Sequence, residues 1–298
     1  MKLPCLLIAW LALASLLPAV TFTQAADLPV PEGVVFERGV EFANPDNQHL
    51  QLDLARPQQG QGPFPAIVCI HGGGFRAGTR DGYDKLCLTL AQHGYVAVTV
   101  TYRLAPAYQF PAAVQDCKAA VRWLRANAAK YYVDPARIGT MGGSAGGHLA
   151  LFLGVTAGEA AFEGEGHLDQ SSAVNCVVSY YGPSDFTQSY GKSVDAHEVL
   201  PLFFGGNLEQ KRREHIVGSP LYWVTPKAPP TLCIHGTKDT YVAHEQAVWM
   251  VDRLKASAVE AELLTLEGAG HGFKEADAER ADAAMLAFFD RHLKPGAK

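Results

Sequence analysis

A chain of 298 residues that is 48% hydrophobic and only 18% charged has the apolar content of a compact globule, which excludes disorder, collagen and coiled coil. Its 25 Lys and Arg against 30 Asp and Glu give a net charge of -5, the wrong sign for a phosphate-backbone partner, and no dense basic run offsets it. Nucleic acid is therefore not an expected partner.

Met1-Lys2 precede an apolar stretch from about Cys5 to Leu17, then Pro18 and the small-residue end Thr23-Gln24-Ala25, the three-part layout of a secretory signal. The expectation is a signal peptide over residues 1–25 and a secreted or periplasmic product. The apolar run is shorter than the roughly 20 residues a membrane span needs, and Pro18 breaks it, so no stable membrane insertion is expected after cleavage. Cleavage would leave Cys69, Cys87, Cys117, Cys176 and Cys233, an odd number, so at least one thiol stays unpaired. Cys69, Cys176 and Cys233 lie inside apolar runs and read as small core hydrophobes. Cys87 with Cys117 is the one pair considered for a bridge, since connectivity does not follow from spacing.

Beyond the leader, Val34 to Phe42 and His49 to Ala55 alternate in polarity around the turn cluster Asn44-Pro45-Asp46-Asn47, which predicts an antiparallel hairpin. Then short apolar runs alternate with helical patterns. Ala66 to Ile70 precedes a helix to about Gln92, Tyr95 to Tyr102 precedes Pro111 to Ala129, and Ile138 to Met141 precedes Ala145 to Val155. Val174 to Tyr181 precedes an irregular insertion, Thr231 to Ile234 a helix near His244 to Ala256, and Ala261 to Leu266 a helix near Ala276 to Leu293. The expected fold class is α/β: a mostly parallel sheet of about eight strands, with an antiparallel N-terminal hairpin and helices on both faces. No linker, repeat or low-complexity block divides residues 26–298, which are read as a single domain. Residues 182–226 are too long for a simple strand-to-helix connection and carry Val199, Leu200, Leu202, Phe203, Phe204, Tyr222 and Trp223, so they are a candidate lid or pocket wall.

Gly142-Gly143-Ser144-Ala145-Gly146 ends a predicted strand and opens a predicted helix, the context in which G-x-S-x-G presents a nucleophilic serine on a strained turn. A serine hydroxyl attacks only when a base takes its proton, and the base needs an acceptor for its other ring nitrogen. His271, in Gly268-Ala269-Gly270-His271-Gly272-Phe273, and Asp239, in His235-Gly236-Thr237-Lys238-Asp239, both follow predicted strands and open onto the same sheet edge. Asp185 and Glu245 are competing acids, read as a local turn contact and a helix residue. His71-Gly72-Gly73-Gly74-Phe75 follows another strand end. Backbone N–H groups of Gly73 and Gly74, joined by that of Ala145, are the candidate oxyanion donors. The remaining histidines show no metal-binding spacing, and neither a metal nor a cofactor is expected.

HGGGF, the run from Tyr102 through Leu104-Ala105-Pro106 to Asp116, GGSAGG, HGTKD and GAGHGF together resemble the HGGG-type branch of the α/β-hydrolases, from about Ala66 to the C-terminus. That branch includes hormone-sensitive-lipase-like carboxylesterases and the bacterial feruloyl and acetylxylan esterase group. The resemblance implies that Tyr102-Arg103 and Asp116 support the site from behind. Ala107 stands where the hormone-sensitive-lipase pattern carries an acidic residue, and a hairpin rather than a long helical cap precedes the first glycine loop, so the bacterial feruloyl/acetylxylan group fits better. The expected function is a secreted serine carboxylesterase acting through an acyl-enzyme on a small-molecule or oligosaccharide ester. Acetyl or feruloyl esters of plant polysaccharide fragments are the candidates. A prolyl-oligopeptidase-like serine peptidase and a non-catalytic hydrolase-fold binding protein are the alternatives.

Overall fold

The computed structural model describes residues 28–60, 62–294 and 296. The leader expected over residues 1–25 lies outside them. The hairpin is β1 (Val34–Ala43) and β2 (Leu50–Pro57), and the chain continues through β3 (Phe64–Ile70), α1 (Asp84–Gln92), β4 (Val96–Val100), α2 (Ala112–Ala126) and α3 (Ala128–Tyr131). After these come β5 (Val133–Gly143), α4 (Ala145–Val155), α5 (Ala160–Glu163), β6 (Cys176–Tyr180), α6 (Asp195–Phe204) and α7 (Arg212–Val217). The chain closes with β7 (Thr231–Gly236), α8 (Glu245–Ala256), β8 (Ala261–Leu266) and α9 (Glu275–Leu293).

The strands form one eight-stranded sheet in the order β1-β2-β4-β3-β5-β6-β7-β8. β2 runs antiparallel to both β1 and β4, and every later pair is parallel. Parallel neighbours require crossovers, and the helices that supply them cover both faces. In β3, Ala66, Val68 and Ile70 enter the cluster beneath α2, α4 and α8, whereas Ile67 and Cys69 enter the cluster beneath α1 and α9. This is the two-residue period of a strand buried on both sides. α4 is buried along nearly its whole length, which accounts for AGGHLALFLGV carrying no Asp, Glu, Lys or Arg.

Two boundaries differ from the sequence reading. The predicted helix to Ala129 is interrupted at Asn127, whose side-chain amide donates to the Trp123 carbonyl at 2.9 Å and closes α2. β5 starts five residues earlier than expected, at Val133 rather than Ile138, because Val133 pairs with Phe64 across a register irregularity in β3. Cys87 lies in the cluster beneath α1 and α9, together with Cys69 and Cys176, while Cys117 lies in the cluster on the other face of the sheet. All five described cysteines are free and buried.

Residues 182–226 fold onto the body. Phe203 stacks on Phe75 with ring centroids 3.9 Å apart, and Val199, Leu200 and Phe204 are buried. Gln246 of α8 accepts the backbone N–H groups of Ser184 (2.8 Å) and Asp185 (2.7 Å) and donates to the Asp185 carbonyl. His148 of α4 donates from Nε2 to the Gly218 carbonyl at 2.8 Å. Tyr222 remains exposed and Trp223 half-buried.

The registers Ile70 to Gly142, Gly143 to Tyr180, Tyr180 to Ile234 and Gly236 to Leu266 align the carboxyl ends of β3, β5, β6, β7 and β8. The loops that begin at His71, Ser144, Tyr181, Thr237 and Glu267 therefore open on one rim. In a sheet of this kind ligands bind beyond those strand ends.

Candidate active site

Ser144 joins β5 to α4 with φ 56° and ψ −121°, a conformation that L-residues rarely adopt. The turn is tight enough that a Cβ on Gly142 would lie 2.3 Å from the Gly146 carbonyl oxygen, and one on Gly146 would lie 2.0 Å from that of Ile70. Glycine is thus a steric requirement at both positions. Ser144 N–H donates to Tyr180 O (2.9 Å), and Ser144 O accepts His148 N–H (3.0 Å), which starts the helix.

His271 comes from the loop between β8 and α9. Its Nε2 lies 3.0 Å from Ser144 Oγ and its Nδ1 lies 2.8 Å from Asp239 Oδ2. Asp239 is buried, and its Oδ1 accepts the backbone N–H groups of Tyr241 and Val242, both at 2.9 Å. Burial alone would push this carboxyl up, but hydrogen bonds from His235, His271 and the Val242 N–H together outweigh it and hold the group well below the usual carboxylate range. A carboxylate that stays ionised obliges Nδ1 of His271 to carry the proton. Nε2 is then the acceptor that faces the serine hydroxyl, the arrangement a general base requires.

The glycine loop meets this group from the β3 side. A Cβ on Gly72 would sit 2.8 Å from the Gly143 carbonyl oxygen and 3.3 Å from Ser144 Cβ, so the loop backbone lies directly against the Ser144 turn. Gly73 (φ 113°) and Gly74 (φ 59°) turn the chain, and Gly73 O accepts the N–H of Ala77 at 3.0 Å. His71 is buried and stacks on Tyr102 at 4.3 Å, while its Nδ1 donates to Gly72 O at 2.7 Å. Burial moves His71 below the ordinary histidine range, against the opposing pull of that carbonyl. Tyr102 Oη donates to His71 O at 2.9 Å. Arg103 donates through its backbone N–H (2.7 Å) and Nε (3.0 Å) to Asp116, and through a terminal nitrogen to Asp46 of the hairpin turn. The Tyr102-Arg103-Asp116 group therefore braces the glycine loop from below.

Gly72–Gly74, Ser144 and His271 line a cleft of about 300 Å³ walled by Tyr83, Tyr181 and Tyr241. Ala145 follows Ser144 as the first residue of α4, where a backbone N–H has no helical acceptor. Of the six residues singled out in the sequence, Ser144, His271, Gly73 and Gly74 line this opening, while Asp239 lies buried behind His271 and Ala145 buried behind Ser144. Asp185 is elsewhere engaged: its Oδ1 accepts Thr187 N–H (2.8 Å) and its Oδ2 the Tyr222 hydroxyl (3.0 Å). Glu245 pairs with Lys192. A larger cavity, about 380 Å³ between the hairpin turn and α2, shares no lining residue with the serine cleft.

Sequence reasoning missed the three tyrosines and His235. Tyr181 and Tyr241 flank His271 with ring centroids 4.7 Å and 5.0 Å from its own. Tyr181 directly follows a strand and Tyr241 lies two residues past Asp239, so their place on the rim was a usable signal. Tyr83 reaches the cleft from the residue before α1, which no local pattern indicates.

Esterase LipC of Mycobacterium tuberculosis is 35% identical over 225 residues, which cover 73% of this chain and 55% of that protein. Two further curated relatives are likewise matched over about half of their own length. Among solved structures, a truncated carbohydrate esterase from gut microbiota superposes with a TM-score of 0.77 at 27% identity, over 87% of this chain and 96% of that one. Esterase 2 of Thermogutta terrifontis, solved phosphonylated by sarin, gives 0.70 at 28%, over 90% and 96%. The eight-stranded architecture is that of the α/β-hydrolases. The BD-FAE family model matches residues 52–254, a span that carries the glycine loop, Ser144 and Asp239, and the chain belongs to that family.

Proposed function

We propose that the protein is a serine carboxylesterase in which Ser144 is the nucleophile, His271 the general base and Asp239 the residue that holds the imidazole. The observation that carries this reading is the continuous run of contacts from Asp239 Oδ2 through His271 to Ser144 Oγ, at 2.8 Å and 3.0 Å. His271 Nε2 takes the Ser144 proton as Oγ attacks the ester carbonyl. The N–H groups of Gly73, Gly74 and Ala145 receive the negative charge that develops on the carbonyl oxygen. The alcohol leaves with the proton from His271, and water, deprotonated by the same imidazole, releases the acid and restores Ser144.

Acetyl or feruloyl esters of plant polysaccharide fragments are the proposed substrates, and the product is proposed to be secreted or periplasmic. A carbohydrate esterase among the structural neighbours supports the first, and the residue pattern from Met1 to Ala25 supports the second. The decisive experiment is hydrolysis of p-nitrophenyl acetate by wild type and Ser144→Ala, with acetate and ferulate release from xylan measured alongside. Ser144→Ala is expected to lose about 10⁴-fold or more in turnover. Substantial turnover by that variant refutes the assignment, and release of neither acid from xylan refutes the substrate class.

A further inference from the structure

Asp239 faces a second imidazole. His235, at the end of β7, is fully buried, with its Nε2 2.9 Å from Val242 O and 3.2 Å from Asp239 Oδ2. Oδ2 is the same oxygen that receives His271. A carbonyl only accepts, so the Val242 contact places a proton on His235 Nε2, and that N–H donates to the carbonyl while the carboxylate oxygen lies 3.2 Å from the same nitrogen as an electrostatic contact. The other ring nitrogen, Nδ1, is buried with no hydrogen-bond partner among the described residues.

We infer that His235 is a positioning residue for the reaction proposed above: its Nε2–H fixes Asp239 Oδ2 toward His271 and ties the Asp239 loop to β7 through Val242. This inference rests on the esterase reading. Two imidazoles then share one carboxylate oxygen, and the two backbone N–H groups of Tyr241 and Val242 fill the other. Contacts on both oxygens resist rotation of the carboxylate away from His271 when that ring becomes charged. Removing the His235 donor would leave more negative charge on Oδ2, strengthening its hold on a protonated His271.

Other titratable groups face this pair. The His244 ring lies 5.6 Å from that of His235, with Glu245 and Glu267 acting on His244 in turn. Tyr181 faces Asp239 from the end of β6, and Tyr241 packs on His271. A His244→Gln control separates the titration of that ring from the effect sought.

The test compares full-length wild type, His235→Leu and His235→Gln on p-nitrophenyl acetate across pH. Gln places an N–H₂ near the position of Nε2, while Leu fills space without a donor. The expected result for His235→Leu is a kcat about 10- to 100-fold lower with KM within about twofold, an acid limb moved to higher pH, and recovery of most of the loss by His235→Gln. Wild-type kcat and acid limb in His235→Leu, or a Gln variant as impaired as Leu, overturns the inference. Should His235→Leu fail to fold, ¹⁵N NMR of wild-type imidazoles decides. The His235 Nε2–H resonance must shift as His271 titrates and must lose that response in Asp239→Asn, and an unresponsive resonance overturns the inference. Labelling of wild-type Ser144 by a fluorophosphonate is read separately. Its failure removes the esterase reading itself, whereas positive labelling with an unresponsive His235 removes only the positioning role.

Discussion

The backbone N–H of Ser144 donates to the Tyr180 carbonyl at 2.9 Å, so the residue with the left-handed backbone is held by the strand next to its own. The backbone N–H just past the end of β6, that of Tyr181, donates in turn to Ile234 O of β7 at 2.8 Å, on the strand that leads to Asp239. The Ser144 turn and the Asp239 loop are thereby set by neighbouring rungs of one ladder, and strain at Ser144 persists because the sheet over-determines it.

Gly146→Ala is the sharpest test of that geometry. Its Cβ would approach Ile70 O to 2.0 Å and His71 O to 2.7 Å, both backbone atoms of β3 and the glycine loop. Overpacking typically costs about 1–3 kcal/mol and occasionally more, and unyielding backbone neighbours put this site toward the upper end. The expected outcome is a lowered Tm by calorimetry with loss of esterase turnover. A stable, fully active Gly146→Ala would show that the turn is not as tight as described.

The glycine loop yields a graded prediction. At Gly73 a Cβ would lie 2.1 Å from Ala77 O and must push the loop aside, whereas at Gly74 it would lie 3.1 Å from a methyl of Val199, which can give way. Gly73→Ala is expected to lower kcat by about 100- to 1,000-fold, the scale of one lost oxyanion donor, with little change in KM. Gly74→Ala keeps its N–H and is expected to lose less than about tenfold. The order of the two kcat values in steady-state kinetics is the readout, and the reverse order removes the assignment of donors.

Asp239→Asn should cost about 10⁴-fold in kcat, because the amide cannot hold the proton on His271 Nδ1 as a carboxylate does. The wild-type pH profile follows from the same contacts. Asp239 is held below the usual carboxylate range in the folded protein, so its stabilising charge is present above about pH 4, the unfolded value, and fades only as pH falls through the lower folded value. Loss of activity on mild acidification must then come from protonation of the base alone. A plot of log kcat/KM against pH should fall with a slope of one on the acid side down to pH 4.5, and a slope of two would mean that Asp239 titrates in that range.

The sheet and its rim were legible because burial on both faces writes near-continuous apolar runs, and because each strand end is marked by glycine or by a turn. Val68 and Ile67 face opposite helix layers, yet both had to be apolar, so AIVCI reads as a strand without any knowledge of its neighbours. Ser144, Asp239 and His271, which the structure brings into contact, each stand as a chemically distinctive residue just past such a run. The order of strands was not legible, since β4 sits between β2 and β3 through a pairing that no local pattern encodes. His235 was hidden for a related reason. It lies inside a buried strand, where an imidazole reads as packing until its contact with Asp239 is seen across the turn. In the insertion, Phe203 and Phe204 are buried, and the cleft is walled by Tyr83, Tyr181 and Tyr241.

A buried carboxylate pair at the junction of α1 and β2 gives stability a pH dependence of unusual sign. Asp84, the first residue of α1, and Asp53 of β2 are both 2% exposed. Arg38 lies 3.1 Å from Asp84, and Asp53 receives the Gly39 N–H at 2.7 Å with Arg80 at 2.9 Å. Burial pushes the Asp84 carboxyl up to about 6, the Asp53 charge adds to the rise, and Arg38 opposes it. The folded protein therefore keeps this proton at a pH where the unfolded chain, with a value of about 4, has already lost it. Between about pH 4 and 6 the folded state binds more protons, so this group's contribution to stability falls as pH rises and levels off above 6. Asp84→Asn removes the effect. The Tm of the variant minus that of wild type is expected to rise by several degrees between pH 4.5 and 7.5 in thermal unfolding at constant ionic strength. A difference that stays flat, or falls, across that interval would mean that Asp84 is ionised throughout and that Arg38 outweighs its burial.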